Sequence, residues 1–472
     1  MSKSPSETAM LWIVAAGFFM QTLDTTIVNT ALPSIAQSLN ESPLQMQPVV
    51  VAYTLTMAML TPASGWLADR FGTRATYLWS ILLFAIGSAL CASVQTLPEL
   101  VAARVLQALG GSMLLPIGRL SIMRNFKASQ YIAVLATVSI AGQCGPLLGP
   151  TVGGWMVQAL SWHWIFLINL PIGAVGIWAV YRFMPHGRLE RAPPFDWIGF
   201  ALLSLCMLAI SLALDAPVRT HRSAWSIGLA ATGVASAWVY WLHARRRTRP
   251  LFRLGIFFER NVGIGLLGNL FSRIGSSAVP FLLPLLMQVQ LGYSPLRSGL
   301  MMVPTALAGI LTKSWISRLV RRFGYDKFLL VNTVIVAASI MSFALISKGW
   351  PVWVQVVPLA LFGGANSMQF AAMNSVTLKD LRIEDAGSGN SLFSMVQMLA
   401  LGFGATIGGG LLNLLSDEFQ STALAFRWTF VAVGAITLVS AALFRWLENS
   451  ELEPSVAKQP PLDKRSSPLT DG

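Results

Sequence analysis

The chain is one apolar run after another, and most of these runs reach the roughly 20 residues that a helix needs to cross a bilayer. A backbone in hydrocarbon must satisfy its own hydrogen bonds, and a run of this length does so as a helix. The runs predict spanning helices at 10–32, 47–68, 75–96, 98–122, 130–158, 164–184, 196–214, 224–243, 262–289, 298–319, 328–347, 353–376, 389–412 and 425–447, fourteen in all. Hydrophobic residues make up 54% of the chain and charged residues 11%, against about a quarter charged in soluble domains. The longest stretch outside the runs is the polar tail 448–472, expected to be disordered and cytoplasmic. No segment is left for a folded soluble domain.

Several function classes fall away. There is no G-x-x-x-x-G-K-[ST] phosphate loop and no Gly-Lys pair, which excludes ATP hydrolysis by that route, and no enzymatic activity or cofactor is expected. The first run carries an acid and lacks a small-x-small cleavage site, so it is expected to remain as helix 1. Cys91, Cys144 and Cys206 are odd in number and scattered through apolar runs, which argues against a disulfide framework and a metal site.

Orientation follows from the basic residues. With the N-terminus in the cytoplasm, 25 of the 33 Lys and Arg fall on inner loops and helix ends, and five (Arg219, Arg222, Arg297, Lys348 and Arg427) fall outside. Arg104, Arg273 and Lys313 lie within the membrane. Fourteen spans place both termini in the cytoplasm. The net charge of +13 is then a topology signal and an affinity for an anionic leaflet, with no nucleic-acid partner implied.

Inside helix 1 the chain reads Leu23-Asp24-Thr25-Thr26-Ile27-Val28-Asn29-Thr30-Ala31-Leu32-Pro33. A carboxylate at membrane depth is costly, and carrying a proton or meeting a cation would each justify it; an acid tied to a helix neighbour for packing is the plainer alternative. Asp24 lies about nine residues from the outer end of helix 1 and Arg104 about six from that of helix 4, so their depths differ by about 5 Å and the two can pair.

The helices carry an internal repeat. Gly65-Trp66-Leu67-Ala68-Asp69-Arg70-Phe71-Gly72-Thr73-Arg74 follows helix 2, and Arg321-Arg322-Phe323-Gly324-Tyr325-Asp326-Lys327 follows helix 10. The shared Arg-Phe-Gly recurs at an offset of 252, too large for two adjoining six-helix halves. The excess is filled by helices 7 and 8. The expected organisation is an N-terminal six-helix bundle (1–184), two inserted helices with a basic loop (185–261), a C-terminal six-helix bundle (262–447) and the tail. Paired repeats with a site between them suit alternating access.

With these motifs the chain resembles the major facilitator superfamily, and within it the fourteen-helix drug:proton antiporters related to QacA and EmrB. The Asp24 stretch resembles that branch's helix 1 signature, and Gly65 to Arg74 resembles the superfamily's loop 2-3 motif. Arg104-Val105-Leu106-Gln107-Ala108-Leu109-Gly110-Gly111 is similar to R-x-x-Q-G-x-G of helix 4, departing at Ala108. Gly142 through Gly145-Pro146-Leu147-Leu148-Gly149-Pro150 to Gly153-Gly154 is similar to the helix 5 antiporter motif, and Trp162-His163-Trp164-Ile165-Phe166-Leu167-Ile168-Asn169-Leu170-Pro171 resembles this branch with His163 where Arg is usual. The resemblance implies an all-α polytopic fold of six, two and six helices in a bacterial inner membrane, exchanging small molecules for protons as a single chain; it assigns proton coupling to Asp24 and Arg104, through a pairing that breaks when Asp24 is protonated, with a permanent structural salt bridge as the alternative.

Each motif also has a local reading. Gly65 lets two helices approach, and Asp69 can pair with Arg70 or Arg74 beside Gly72 to hold an inner gate shut; a solvated turn is the alternative, since an exposed ion pair stabilises little. Gly145, Pro146, Gly149, Gly153 and Gly154 make a close, bendable helix contact, with or without a part in the direction of transport. Arg273, in helix 9, should face a cavity because an unpaired guanidinium facing lipid is prohibitive, whereas Lys313 either lines that cavity or snorkels to the inner surface. Gln107, Gln143, Asn366, Gln369, Asn374, Asn390 and Gln397 are polar groups for a pathway or for helix contacts. With Asp24 as the one clear membrane acid against these cations, the cargo is a lipophilic drug, as the resemblance implies, or an organic anion or metal-carboxylate chelate. A non-transporting membrane sensor is the remote alternative.

Overall fold

A computed structural model describes residues 5–126, 128–185, 194–215, 223–248, 250–252, 255, 259–379 and 386–447; the tail 448–472 lies outside these. Among the described residues every regular element is helical. The first group comprises α1 (Pro5–Ser38), α2 (Gln47–Leu60), α3 (Ser64–Phe71), α4 (Thr73–Cys91), α5 (Leu97–Asn125), α6 (Ala128–Ala159), α7 (Trp164–Leu167) and α8 (Asn169–Phe183). Then come α9 (Trp197–Asp215) and α10 (Ser223–Arg246), which pack on each other. The second group comprises α11 (Arg260–Leu285), α12 (Pro295–Met301), α13 (Val303–Thr312), α14 (Ile316–Ser342), α15 (Val352–Lys379), α16 (Ala386–Phe419) and α17 (Thr422–Phe444).

Among the described residues, eleven helical stretches are long and apolar enough to cross a membrane, against the fourteen expected. The difference has an identifiable source. One stretch, Pro295–Leu345, runs for 51 residues and is broken at Gly324, where φ is 79° and ψ 164°. The helices α6 and α10, of 32 and 24 residues, are not among the eleven. The Gly324 break matches Gly72, between α3 and α4, where φ is 90° and ψ 148°. That region of the backbone map is open essentially to glycine alone, so the repeated Arg-Phe-Gly marks the same backbone turn twice.

The glycines of α6 lie in its seam with α1. A Cβ built on Gly145 would stand 2.3 Å from Thr22 Oγ1, one on Gly149 2.2 Å from Thr26 Oγ1, and one on Gly153 2.7 Å from the Ile27 side chain. Thr26 also donates across the seam to the Gly145 carbonyl at 3.2 Å. Hydrocarbon provides no hydrophobic drive for helices to associate, and close contact between small residues supplies it instead. Pro146, beside this seam, is exposed.

At the end of the molecule carrying Asn40, the two groups interlock. A Cβ on Gly154 would meet the Pro295 carbonyl at 2.3 Å, and one on Gly299 the Pro150 carbonyl at 2.1 Å. Gln288 donates to the Thr30 carbonyl at 2.8 Å and Asn413 to that of Leu44 at 3.2 Å. One apolar core there joins Ile35, Leu39 and Met46 to Leu291, Met302 and Phe426. At the other end, carrying Asp69, a cavity of about 590 Å³ reaches in between the groups.

Substituting Gly145 or Gly149 with Ala should lower stability by about 1–3 kcal/mol, the range for overpacking a close contact. Gly65→Ala should leave it unchanged, because nothing lies within 4 Å of a Cβ there. Thermal unfolding of the detergent-solubilised variants checks both, and equal melting temperatures for Gly145→Ala and Gly65→Ala would contradict the seam.

Candidate functional site

Asp24 projects from the middle of α1 and is 1% exposed, and Arg104, from the first half of α5, is equally buried. The structure brings them together: Arg104 Nη1 donates to Asp24 Oδ2 at 2.7 Å. Two amides complete the shell of the other carboxylate oxygen, Gln107 Nε2 at 2.8 Å and Asn169 Nδ2 at 3.2 Å. Gln107 and Asn169 also share Ser88 Oγ, at 2.7 and 3.2 Å. Gln107 Oε1 accepts from Arg104 Nη1 at 2.6 Å, and Arg104 Nε reaches the Val49 carbonyl at 3.4 Å. The guanidinium lies 4.0 Å from the Tyr53 ring centroid, an electrostatic attraction strengthened away from water.

Local structure explains the convergence. Gln107 follows Arg104 by three residues and so shares its face of α5. The Thr96 capping box fixes the start of α5: Thr96 Oγ1 accepts from Glu99 N, and the Glu99 carboxylate accepts from Gln95 N and Thr96 N. Asn169 opens α8 directly after the short α7. Ser88, Asn169 and Tyr53 were not identified from sequence as members of this cluster. Asn169 gave a signal, as a polar residue inside the Trp162–Pro171 segment; Ser88 and Tyr53, single members of apolar runs, gave none.

Other expected residues land elsewhere. Gln107, expected to line a cargo cavity, is fully buried within the Asp24 cluster. Asp69 pairs with Arg124 at the end of α5, not with Arg70 or Arg74. Arg74 donates instead to the Tyr181 carbonyl, and Arg70 is exposed. The turn at Gly72 explains the change: it redirects the chain after α3, and the last turn of α5 is then the cation within reach of Asp69. Gly65, expected at a helix contact, has no such neighbour and lines the cavity.

In the second group, Arg273 is half-buried, its guanidinium carbon 4.3 Å from the Phe370 ring centroid. Its Nε is buried without a hydrogen-bond partner, and among the described residues no carboxylate pairs with it. Lys313 does not snorkel; it crosses to the first group and donates to Gln143 Oε1. Asn374 accepts from Gln397 at 3.0 Å, and Gln397 lines the cavity. Gln369 is tied to Asn332 and Thr333 within the second group, and Asn366 is half-buried on α15. The side chain of Asn390 lies outside the described residues.

Comparison with known proteins agrees with this architecture. The Major Facilitator Superfamily profile matches residues 14–405. A Pectobacterium atrosepticum protein named "Putative multidrug resistance protein MdtD" is 44% identical over 99% of this chain and 100% of its own length. A Serratia proteamaculans protein of the same name is 49% identical, with 92% of each chain covered. Among solved structures, a D-xylose-proton symporter superposes with a TM-score of 0.69 at 15% identity over 94% of this chain and 98% of its own. The POT family transporter PepTSo gives 0.70 at 14% over 94% and 97%; at such identities the likeness shows the fold. With its helical architecture and these matches across nearly the whole sequence, the chain belongs to the Major Facilitator Superfamily and is a multi-pass membrane transporter, not an enzyme.

Proposed function

We propose that this transporter is a proton-coupled exporter of the multidrug type in the bacterial inner membrane, the role its relatives' name points to. The carrying observation is Asp24, buried at membrane depth with one cation and two amides on its carboxylate. As a carboxylate, Asp24 neutralises Arg104. Once protonated it leaves that guanidinium without its countercharge in a low-dielectric site, which biases the first group toward another arrangement. Transport follows if cargo and proton favour opposite arrangements.

Fourteen spans are reached when the 51-residue stretch is divided at Gly324 and α6 and α10 are added to the eleven. The first and second groups then form six-helix halves around the inserted α9 and α10, with both termini cytoplasmic. On that orientation the Asp69 end faces the cytoplasm, the outer end is closed, and the cavity awaits cargo from inside. The exposed Gly65 face is where the second half arrives when the cavity closes. A single chain holds the whole machinery, so it works as a monomer.

A second reading, export of organic anions, has its own support in Arg273. A guanidinium with no carboxylate partner among the described residues offers a planar fork of donors matched to carboxylate or phosphate.

Asp24→Asn should abolish pH-gradient-driven export, and each single loss, Asp24→Asn or Arg104→Gln, should lower stability by about 3–5 kcal/mol by breaking a buried pair. The double variant should recover most of that stability and none of the coupling. Gradient-driven transport in proteoliposomes, normalised to folded protein, checks this; full transport by Asp24→Asn removes Asp24 from the mechanism.

Asp69→Asn should cost less than about 1 kcal/mol, since its pair is partly exposed, yet change the maleimide labelling rate of a cysteine placed at Gly65. Exchanging Asp69 and Arg124 should restore the rate, and a rate indifferent to all three forms rules out the gate.

Arg273→Gln should abolish transport of an organic anion if Arg273 binds cargo, with Arg273→Lys restoring only part because the bidentate geometry is lost. Cation transport by wild type with no anion transport sinks the second reading.

A further inference from the structure

The inserted helices do not merely accompany the two groups. The helix α9 packs against both α2 and α16, and its Met207 joins one apolar cluster with Leu55 and Ala58 of α2, Phe252, Val262 of α11, and Phe393 of α16. The insert thus touches both sides of the divide that an alternating mechanism must open and close. Its two flanking segments, 194–196 and 250–252, reach further and form part of the wall of the 590 Å³ cavity.

Those segments are fixed in place. The carboxylate of Asp196, 5% exposed, accepts from His243 Nε2 at 2.7 Å, Gly199 N at 3.0 Å and Leu251 N at 3.1 Å. One acid thereby ties the start of α9, the end of α10 and the returning segment together. Tyr240 adds a second tie, its hydroxyl accepting from Phe252 N at 3.1 Å. Burial raises the affinity of Asp196 for a proton, but the bonds from Gly199, His243 and Leu251 outweigh it and hold the carboxyl below its usual range. The tie therefore persists at neutral pH and is lost only as pH falls through that lowered value.

The wall so fixed is aromatic. Phe195 lies 5.3 Å from Trp66 of α3 and 4.8 Å from Trp197, centroid to centroid, and Trp66, Phe195 and Phe252 line the cavity together with the thioethers of Met57 and Met398. A cavity of this size is in the range that encloses a drug-sized molecule. Flat ring faces and adaptable thioethers suit apolar ring systems of varied outline.

We propose that α9 and α10 build an access site for cargo, in which segment 194–196 presents Phe195 beside Trp66, held by segment 250–252 whose Phe252 is anchored in the Met207 cluster, to bind lipophilic aromatic molecules before they move deeper. The site rests on the export reading for its purpose, while its binding chemistry stands alone. Asp196 and His243 are positioning residues for it.

The test uses the full chain in nanodiscs with Nile red, a neutral planar aromatic dye, as the probe. Phe195→Ala and Trp66→Ala should each weaken dye binding about five- to tenfold, the loss of one good ring contact. Phe195→Leu and Trp66→Leu, which keep apolar surface, should weaken it about threefold and serve where an Ala variant does not fold. His243→Ala should weaken binding, and His243→Gln, which restores an N–H donor to Asp196, should recover it. Trp12→Ala, on an exposed face of α1, should bind as wild type. Wild-type affinity in both Phe195 and Trp66 variants, or no dye binding by the wild type, overturns the site. A wild type that binds dye through these residues yet moves none of it on an imposed pH gradient removes the export reading and leaves the site standing.

Discussion

The interaction on which the rest depends is the pair of Asp24 and Arg104. Each charge alone at that depth is costly, and their mutual attraction offsets desolvation only when the remaining donors and acceptors are also met. Gln107, Asn169, Ser88 and the Val49 carbonyl do this, and they come from four helices, α2, α4, α5 and α8. The requirement of one carboxylate thereby sets how half of the molecule is packed.

The second group answers to different chemistry. Among the described residues Arg273 has no ion pair and rests on the Phe370 ring, while Asn332, Thr333 and Gln369 form a neutral network that holds α14 to α15. The repeat of the backbone turn at Gly72 and Gly324 thus does not extend to the charges. One half holds its cation neutralised, and the other holds a cation facing an aromatic surface.

Much of this was legible in the sequence for physical reasons. Helix positions follow from run length, and the approach of Asp24 to Arg104 from depth alone. Depth, however, does not specify rotation about a helix axis, which is why Gln107 read as a cavity residue and is instead a ligand of Asp24. Asp69 read as the partner of its sequence neighbours because the turn at Gly72, which sends Arg74 toward Tyr181, is a tertiary fact. Lys313 shows the same limit: its stem is long enough to reach the surface, and only the packing of α13 against α6 gives its ammonium the Gln143 amide oxygen. The Asp196 tie, built from residues 196, 199, 243 and 251, joins positions too far apart for any local pattern to reveal.

The contact between α6 and the Pro295–Met301 helix is made largely of backbone: the Pro150 carbonyl sits over Gly299 and the Pro295 carbonyl over Gly154, with Thr151 donating at 3.4 Å to the Gly299 carbonyl. Two bodies that touch through main chain meet on smooth, low surfaces with few rotamers to unlock, and can roll on one another with little friction. An exporter closed at this end by main chain can part there without repacking side chains, because the contact is held by carbonyls over glycines and few rotamers.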